Sequence, residues 1–147
     1  RLPPFALSYH RKLIMASAFI LVPRAEGAFA ALDPLARLCF GHIWNRYQLS
    51  RLTRHSGRGA FVMEVPADMR DRYKRPSVDY CVYSAAEMAV EIGCTDRTVR
   101  RCIADLRAAG VIDTHRNGYM GKLCFTIPTA ICDELPDELK RRVLGKA

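Results

Sequence analysis

The chain has 147 residues, of which half are hydrophobic, and its 23 Lys and Arg against 15 Asp and Glu give a formal net charge of +8. This length and hydrophobic content are enough for one compact domain that buries a core without metals or disulfides. No hydrophobic run reaches the roughly 18 residues that a membrane-spanning helix needs, which argues against a helical membrane protein. The positive charge favours a polyanionic partner such as nucleic acid or an anionic surface, and a merely soluble basic protein is the alternative.

Residues 1–18 are interpreted as an N-terminal extension, in which residues 13–19 could form a helix used in dimer contact, and residues 19–22 as a short strand. Asp33 followed by Pro34 is typical of an N-cap with proline at the first helical position. Apolar residues then recur at spacings of three and four up to Tyr47, which predicts a helix.

The segment from residue 48 to residue 79 loses this periodicity among Ser, Arg, Gly and Pro residues, and only residues 61–65 resemble a strand. We interpret residues 51–79 as an insertion loop that could carry a hairpin arm. Loops of this length are uncommon inside compact domains unless they are functional. Four basic residues in the loop could contact phosphates, although a solvated charged surface is the simpler interpretation: Arg70, Arg72, Lys74 and Arg75.

Two helix signals in close succession predict a helix-turn-helix. Ser84 and Glu87 have the spacing of a capping box, and Gly93 is suited to end this first helix in a left-handed conformation. Thr95 is placed to cap a second helix over about residues 96–109. Because so few residues separate the two helices, they are expected to cross steeply rather than lie side by side.

The second helix has the features of a DNA-recognition helix. Its predicted buried stripe consists of Val99, Cys102, Ile103 and Leu106. At about 100 degrees per residue, Arg97 and Arg101 fall on the opposite side and Arg100 flanks them. A helix fits the major groove of B-DNA, and the planar fork of Arg can donate two hydrogen bonds to guanine. We predict that Arg97 and Arg101 read bases, and that Arg100, Thr98 and Thr95 contact bases or phosphates.

The residues after this helix predict a β-hairpin, the wing. A strand over residues 111–115, a turn at Asn117-Gly118, and residues 122–127, in which apolar and other positions alternate, give its two strands. Arg116, Tyr119 and Lys122 could reach a minor groove or phosphates, and Ser84 is a further candidate DNA contact. A mobile hairpin tip with incidental charge is the alternative for the wing residues.

These patterns predict an α+β fold, a winged helix-turn-helix with a small antiparallel β-hairpin wing. The DNA-binding domain would span residues 19–128, and residues 129–147 would form a helical tail with a helix over about residues 136–144. The expected partner is double-stranded DNA, with no membrane association.

Signals of catalysis or metal binding are poor. The sequence has no Walker loop, H-E-x-x-H, G-x-S-x-G or metal-spaced Cys and His cluster. His42 lies on an apolar helical stripe and is expected to pack in the core. The cysteines at positions 39, 81, 94, 102, 124 and 132 form no C-x-x-C pair, which favours reduced thiols and a cytoplasmic location. We therefore expect no enzyme, no cofactor and no metal.

Several short motifs carry a family resemblance. They are Phe19-Ile-Leu-Val-Pro23, Leu32-Asp-Pro-Leu-Ala-Arg-Leu38, Asn45-Arg46 with Leu49-Ser50, Tyr83-Ser-Ala-Ala-Glu87, Ile92-Gly-Cys94 and Thr98-Val-Arg-Arg101. In them, residues 19–112 resemble the N-terminal domain of the plasmid replication initiator protein A family of low-GC Gram-positive bacteria. The resemblance implies a winged-helix domain that recognises repeated sequences at an origin, usually as a homodimer, to begin replication of a plasmid or integrative mobile element. The chain departs from the pattern in the long insertion between Ser50 and Tyr80.

Two other functions remain open from the sequence. A transcriptional regulator would make the same groove contacts near promoters. A protein-interaction module could dock through the same helix face, since one fold hosts several functions. Three arginines on that face argue against the interaction module.

Overall fold

The computed structural model describes residues 20–55, 61–116 and 122–135. Its helices are α1 (Pro34–His55), α2 (Ala85–Ile92), α3 (Asp96–Ala108) and α4 (Thr129–Glu134), with two short 3₁₀ helices at Gly27–Phe29 and Ala67–Arg72. Its strands are β1 (Val62–Glu64), β2 (Ser77–Asp79), β3 (Cys81–Val82), β4 (Asp113–Arg116) and β5 (Leu123–Thr126). β1 and β2 pair with each other, and the other three form an antiparallel sheet in the order β3-β5-β4.

The hydrophobic core lies between α1, α2, α3 and one face of the three-stranded sheet. Each element contributes fully buried side chains, including Phe40 and Ile43 from α1, Met88 from α2, Leu106 from α3 and Phe125 from β5. A helix, a strand, two crossing helices and a two-stranded wing follow one another along the chain. This arrangement confirms the predicted α+β winged helix.

The predicted caps around the helix-turn-helix are present. The Ser84 hydroxyl accepts a hydrogen bond from the Glu87 backbone N–H at 3.0 Å, and the Glu87 carboxylate accepts one from the Ser84 N–H at 3.4 Å. Gly93 ends α2 with φ of 86°, a left-handed conformation that costs glycine little. The Thr95 hydroxyl then caps α3 by accepting from the Thr98 N–H at 3.2 Å. These local signals fix the boundaries of both helices.

Helix α1 is longer than the sequence pattern predicts. It begins as expected, with the Asp33 carboxylate accepting from the Ala36 N–H at 2.8 Å, but it continues to His55. The prediction of irregular backbone from residue 48 was therefore wrong. Gln48 and Ser50 are buried, and the Ser50 hydroxyl donates to the Tyr80 carbonyl at 2.6 Å. Polar residues that suggested a loop are covered by a segment distant in sequence, so tertiary packing extends the helix.

The strand predicted for residues 19–22 is not formed by residues 20–22, and Phe19 lies outside the described residues. The segment instead lies across α1 at Gly41, where an added Cβ atom would stand 2.5 Å from the Leu21 carbonyl oxygen. Arg37 donates to the Pro23 carbonyl at 3.2 Å and holds the next part of the segment. The segment therefore packs on helix α1 and does not pair with a strand of the sheet.

The insertion forms an arm, defined here as residues 61–80. β1 and β2 pair with Met63 opposite Val78, and the 3₁₀ helix lies in the connection between them. The expectation of a hairpin arm is thus confirmed. The arm reaches the three-stranded sheet through Tyr73, which is 4% exposed.

Strand β5 does not alternate between buried and exposed positions, contrary to the prediction. Residues 124–127 are all buried. β5 is the central strand, and while Phe125 faces the helical core, the Thr126 hydroxyl lies 2.6 Å from the Tyr73 hydroxyl of the arm. The arm therefore covers the sheet face that a simple wing would expose to water.

The ends of the wing and of the domain also differ from expectation. β4 begins at Asp113 rather than at residue 111, and Val111 and Ile112 pack in the core instead. The short helix α4 lies within the predicted helical tail, ahead of the helix expected there. The expected turn at residues 117–118 and the expected helix over residues 136–144 lie outside the described residues. None of the six cysteines forms a disulfide, and no helix in the described parts of the chain is long and apolar enough to cross a membrane.

Candidate nucleic-acid interface

The outer face of α3 presents two arginines near its N-terminus that are uncommitted, which here means that their side chains have no ion pair or hydrogen bond among the described residues. The predicted stripe of Val99, Cys102, Ile103 and Leu106 is buried, which confirms the orientation of the helix. Arg97 and Arg100 are exposed. Within the described residues, neither side chain forms an ion pair or a hydrogen bond. Their guanidinium groups are therefore available to a partner.

Arg101 differs from these two arginines because its guanidinium forms ion pairs with two carboxylates. Its Nη1 atom lies 3.0 Å from an Asp33 carboxylate oxygen and 3.0 Å from an Asp105 carboxylate oxygen. The hydrogen bond to Asp33 raises the pKa of Arg101. The pKa of Asp33 is lowered, first by the Ala36 N–H that it caps and then by Arg101. About half of the Arg101 side chain remains exposed, so its predicted contact with a base would compete with two existing ion pairs.

Two of the hydroxyl groups among the predicted contacts serve as helix caps. Ser84 caps α2, and Thr95 caps α3. The hydroxyls of Thr95 and Thr98 also lie 2.9 Å from each other. They order the first turn of α3, from which Arg97 and Arg100 project.

The predicted wing residues separate into different environments. Arg116 is exposed at the end of β4 and, within the described residues, forms no ion pair. Lys122 lies with its Nζ atom 3.5 Å from a Glu87 carboxylate oxygen, which links the base of the wing to α2. Tyr119 lies outside the described residues. Of the two wing residues that the structure describes, Arg116 is the one that pairs with no carboxylate among the described residues.

A charged cluster fixes α2 against α1 and against Tyr83, which directly follows β3. Arg46 lies over the Tyr83 ring at 4.2 Å and pairs with Glu91 at 3.4 Å, while the Tyr83 hydroxyl also donates to Glu91. His42 Nδ1 lies 3.5 Å from Glu91, and the His42 side chain is 12% exposed. Burial lowers the pKa of His42, although Glu91 acts in the opposite direction. His42 is thus packed largely as predicted, at the edge of the cluster.

Two features of this surface escaped the sequence analysis. Arg107 is exposed in the last turn of α3 and lies two turns after Arg100, so helical spacing alone could have added it to the basic face. Asp105 stands four residues after Arg101, a spacing that favours a helical ion pair. The contact with Asp33 spans 68 residues of sequence and carries no local signal.

The described residues contain no group of three or more His, Cys, Asp or Glu side chains that could hold a metal ion. The guanidinium and hydroxyl groups on this surface bind anions by hydrogen bonds and charge, and the exposed carboxylate of Asp96 lies beside them in the first turn of α3.

Comparison with known proteins agrees with the geometry. Residues 83–120, which contain α2, α3 and β4, match the family model described as "HTH domain". The chain carries a helix-turn-helix DNA-binding domain. A search of curated proteins finds no match to the sequence.

Two solved structures share the fold over almost the whole chain. One is described as "N-Terminal domain of DNA binding protein", with 14% identity, a TM-score of 0.50, and coverage of 98% of this chain and 94% of that one. The other is described as "Structure of Rep-DNA complex", with 14% identity, a TM-score of 0.51, and coverage of 99% and 93%. At this identity the likeness establishes the fold.

Proposed function

We propose that this chain recognises specific sequences in double-stranded DNA by placing α3 in the major groove. The observation that carries the proposal is the pair of exposed, uncommitted guanidiniums of Arg97 and Arg100 on the first turns of α3. Helix-turn-helix proteins place these turns against base edges, and the preceding helix crosses the backbone. Arg can donate two hydrogen bonds to guanine, and a good pair of this kind discriminates bases by about 1–3 kcal/mol.

Charge around α3 supports binding to the backbone as well. Arg107 on the same helix and Arg116 on the wing are both exposed. Contacts of Arg with phosphates release counterions and supply most of the sequence-independent affinity for DNA. Base contacts from α3 would then add specificity to this general attraction.

We further infer that the DNA target is a replication origin and that the protein is a replication initiator of a plasmid or integrative mobile element, acting as a homodimer. The resemblance of residues 19–112 to the plasmid initiator family supports this inference. The fold shared with the structure described as a Rep-DNA complex is consistent with it. A transcriptional regulator would use the same contacts, so the location of the binding sites must separate the two roles.

The specificity is tested by selecting bound duplexes from a library with a random central region. The native chain is expected to enrich one sequence with defined guanines. The Arg97→Lys/Arg100→Lys variant keeps both charges but loses the planar guanidinium forks that donate two parallel hydrogen bonds to guanine, so it should retain general binding and show a much weaker preference. The same enriched sequence from both proteins, or no enrichment by the native chain, would contradict base reading by these arginines.

The replication role is tested by locating the selected sequence in the DNA that encodes the protein. Tandem copies, with half-sites about one helical turn apart as a dimer requires, are expected beside the gene. A plasmid without its own initiator should be maintained when it carries these copies and the protein is supplied. Single sites at promoters and no plasmid maintenance would favour the regulator.

A further inference from the structure

Two neighbouring residues of the arm lie between the end of α3 and the wing. Arg72 Nη1 is 2.6 Å from an Asp113 carboxylate oxygen at the start of β4, and its Nη2 donates to the Gly110 carbonyl at 2.8 Å. Gly110 follows α3 with φ of 74° and begins the short connection to β4. The Arg72 guanidinium therefore bridges the connection between α3 and the wing.

Tyr73 continues this contact into the sheet. Its hydroxyl donates to the second Asp113 carboxylate oxygen at 2.6 Å and lies 2.6 Å from the Thr126 hydroxyl on β5. Because the Tyr73 proton goes to the carboxylate, the Thr126 hydroxyl donates to the Tyr73 oxygen. Thr126 then accepts from His115 Nε2, which is 2.9 Å away on β4. Asp113 and Thr126 are also opposite each other in the sheet register, so the network joins both strands of the wing.

Burial makes this network costly to break. Asp113 is 7% exposed and Thr126 is 0% exposed. A buried carboxylate without partners is strongly unfavourable, and hydrogen bonds to a charged group are stronger than neutral ones. Both Asp113 oxygens are held by the arm, which means that the wing cannot tilt away from α3 without leaving this carboxylate unpaired.

We propose that Arg72 and Tyr73 are positioning residues for the wing, which hold it at a fixed angle to α3 so that both can meet one duplex. The binding part of this inference rests on the proposed DNA-binding function. The insertion that departs from the family pattern thus acts as a brace. A preordered wing binds more tightly because less conformational freedom is lost on association.

The brace is tested with Tyr73→Phe, which removes one hydroxyl and no charge. Backbone amides of β4 and β5 in the free protein should exchange with deuterium about tenfold faster, as expected for the loss of hydrogen bonds to a charged group. Affinity for a labelled mixed-sequence duplex of about 30 base pairs should fall by up to about tenfold. The slope of log affinity against log salt should stay unchanged, since no phosphate contact is removed. Amides in α1 should exchange at the native rate.

Arg72→Lys and Arg70→Ala provide the second variant and the matched control. Arg72→Lys keeps the charge but cannot bond Asp113 and Gly110 together, so it should loosen the wing as Tyr73→Phe does, even if the latter folds poorly. Arg70 lies in the same 3₁₀ helix, is exposed, and has no side-chain partner among the described residues. Its replacement should leave wing exchange at the native rate.

The exchange rates of the wing and the duplex affinities together decide whether the proposal holds. Native exchange rates in β4 and β5 of both brace variants would overturn the proposal, and so would weaker binding without faster wing exchange, since that would indicate direct contact with DNA. Faster wing exchange with native affinity would show that the wing pose does not matter for binding. If the native chain binds no duplex, the proposed function fails, while the exchange data still judge the brace by itself.

Discussion

At the scale of single residues, the ion pairs of Arg101 determine how much positive charge α3 offers to DNA. Asp33 and Asp105 each lie 3.0 Å from its guanidinium, whereas Arg97 and Arg100 have no such partners among the described residues. Asp33 also caps α1 through the Ala36 N–H. One carboxylate therefore supports the fold and restrains a candidate DNA contact at the same time.

Asp33→Asn separates these two roles. Asn caps helices about as well as Asp, so the free energy of unfolding should change by less than about 0.5 kcal/mol. The loss of a negative charge and of one of the two ion pairs of Arg101 should raise duplex affinity, and the slope of log affinity against log salt should steepen by up to about 0.9. Asp105→Asn is the control that removes the other ion pair of Arg101 without touching a cap. Unchanged affinity in both variants, measured by fluorescence anisotropy, would mean that Arg101 does not contact DNA.

The lowered pKa values of two partly buried histidines predict how the stability of the protein depends on pH. Burial lowers the pKa of His115, with Asp113 opposing, and lowers the pKa of His42, with Glu91 opposing. Below the ordinary pKa of 6.5 the unfolded chain therefore binds more protons than the folded one. The free energy of unfolding should be highest above pH 6.5 and should fall as the pH drops below it.

Urea unfolding at several pH values between about 5.5 and 7.5 checks this expectation above the range in which carboxylates titrate. The His42→Gln/His115→Gln variant should show a flatter pH profile than the native chain. A native chain that becomes more stable on acidification would contradict the assignment.

At the scale of elements, the contact at Gly41 decides whether residues 20–21 are fixed on α1. An added Cβ atom would lie 2.5 Å from the Leu21 carbonyl oxygen and 2.7 Å from Ile20 Cγ2. Gly to Ala in a helix gains up to about 1 kcal/mol of propensity, while such an overlap costs about 1–3 kcal/mol. Gly41→Ala should therefore destabilise the protein. Asn45→Ala on the same helix is the control that gains propensity without the overlap. Stabilisation by both substitutions in chemical unfolding would show that the segment does not pack there.

The elements differ in how far the sequence could predict them. Ser84, Gly93 and Thr95 act within a few residues of themselves, so the caps and the turn between α2 and α3 could be placed from local patterns. The last turns of α1 could not, because the burial of Ser50 depends on Tyr80, which lies 30 residues away. The alternation expected in β5 failed for the same reason, since a residue of the arm covers its second face.

At the scale of the whole molecule, local sequence patterns predict one part of the candidate site, and tertiary contacts determine the other part. Helical spacing was enough to place Arg97 and Arg100 outside and Val99 inside. It could not show that Arg101 meets Asp33, or that Arg72 meets Asp113 across 41 residues of sequence. The sequence thus predicts which face of α3 is basic, while the tertiary contacts determine which of its arginines are uncommitted and how the wing is held beside them.

Binding of DNA by the outer face of α3 can be tested by a single titration. A labelled mixed-sequence duplex of about 30 base pairs is titrated, at about 50 and 200 mM salt, with the native chain and the Arg97→Ala/Arg100→Ala variant. We expect the native chain to bind with a steep salt dependence, and the variant to bind at least about tenfold more weakly with a slope reduced by up to about 1.8. Equal binding by the two proteins, or no binding by the native chain, would contradict DNA binding through this face.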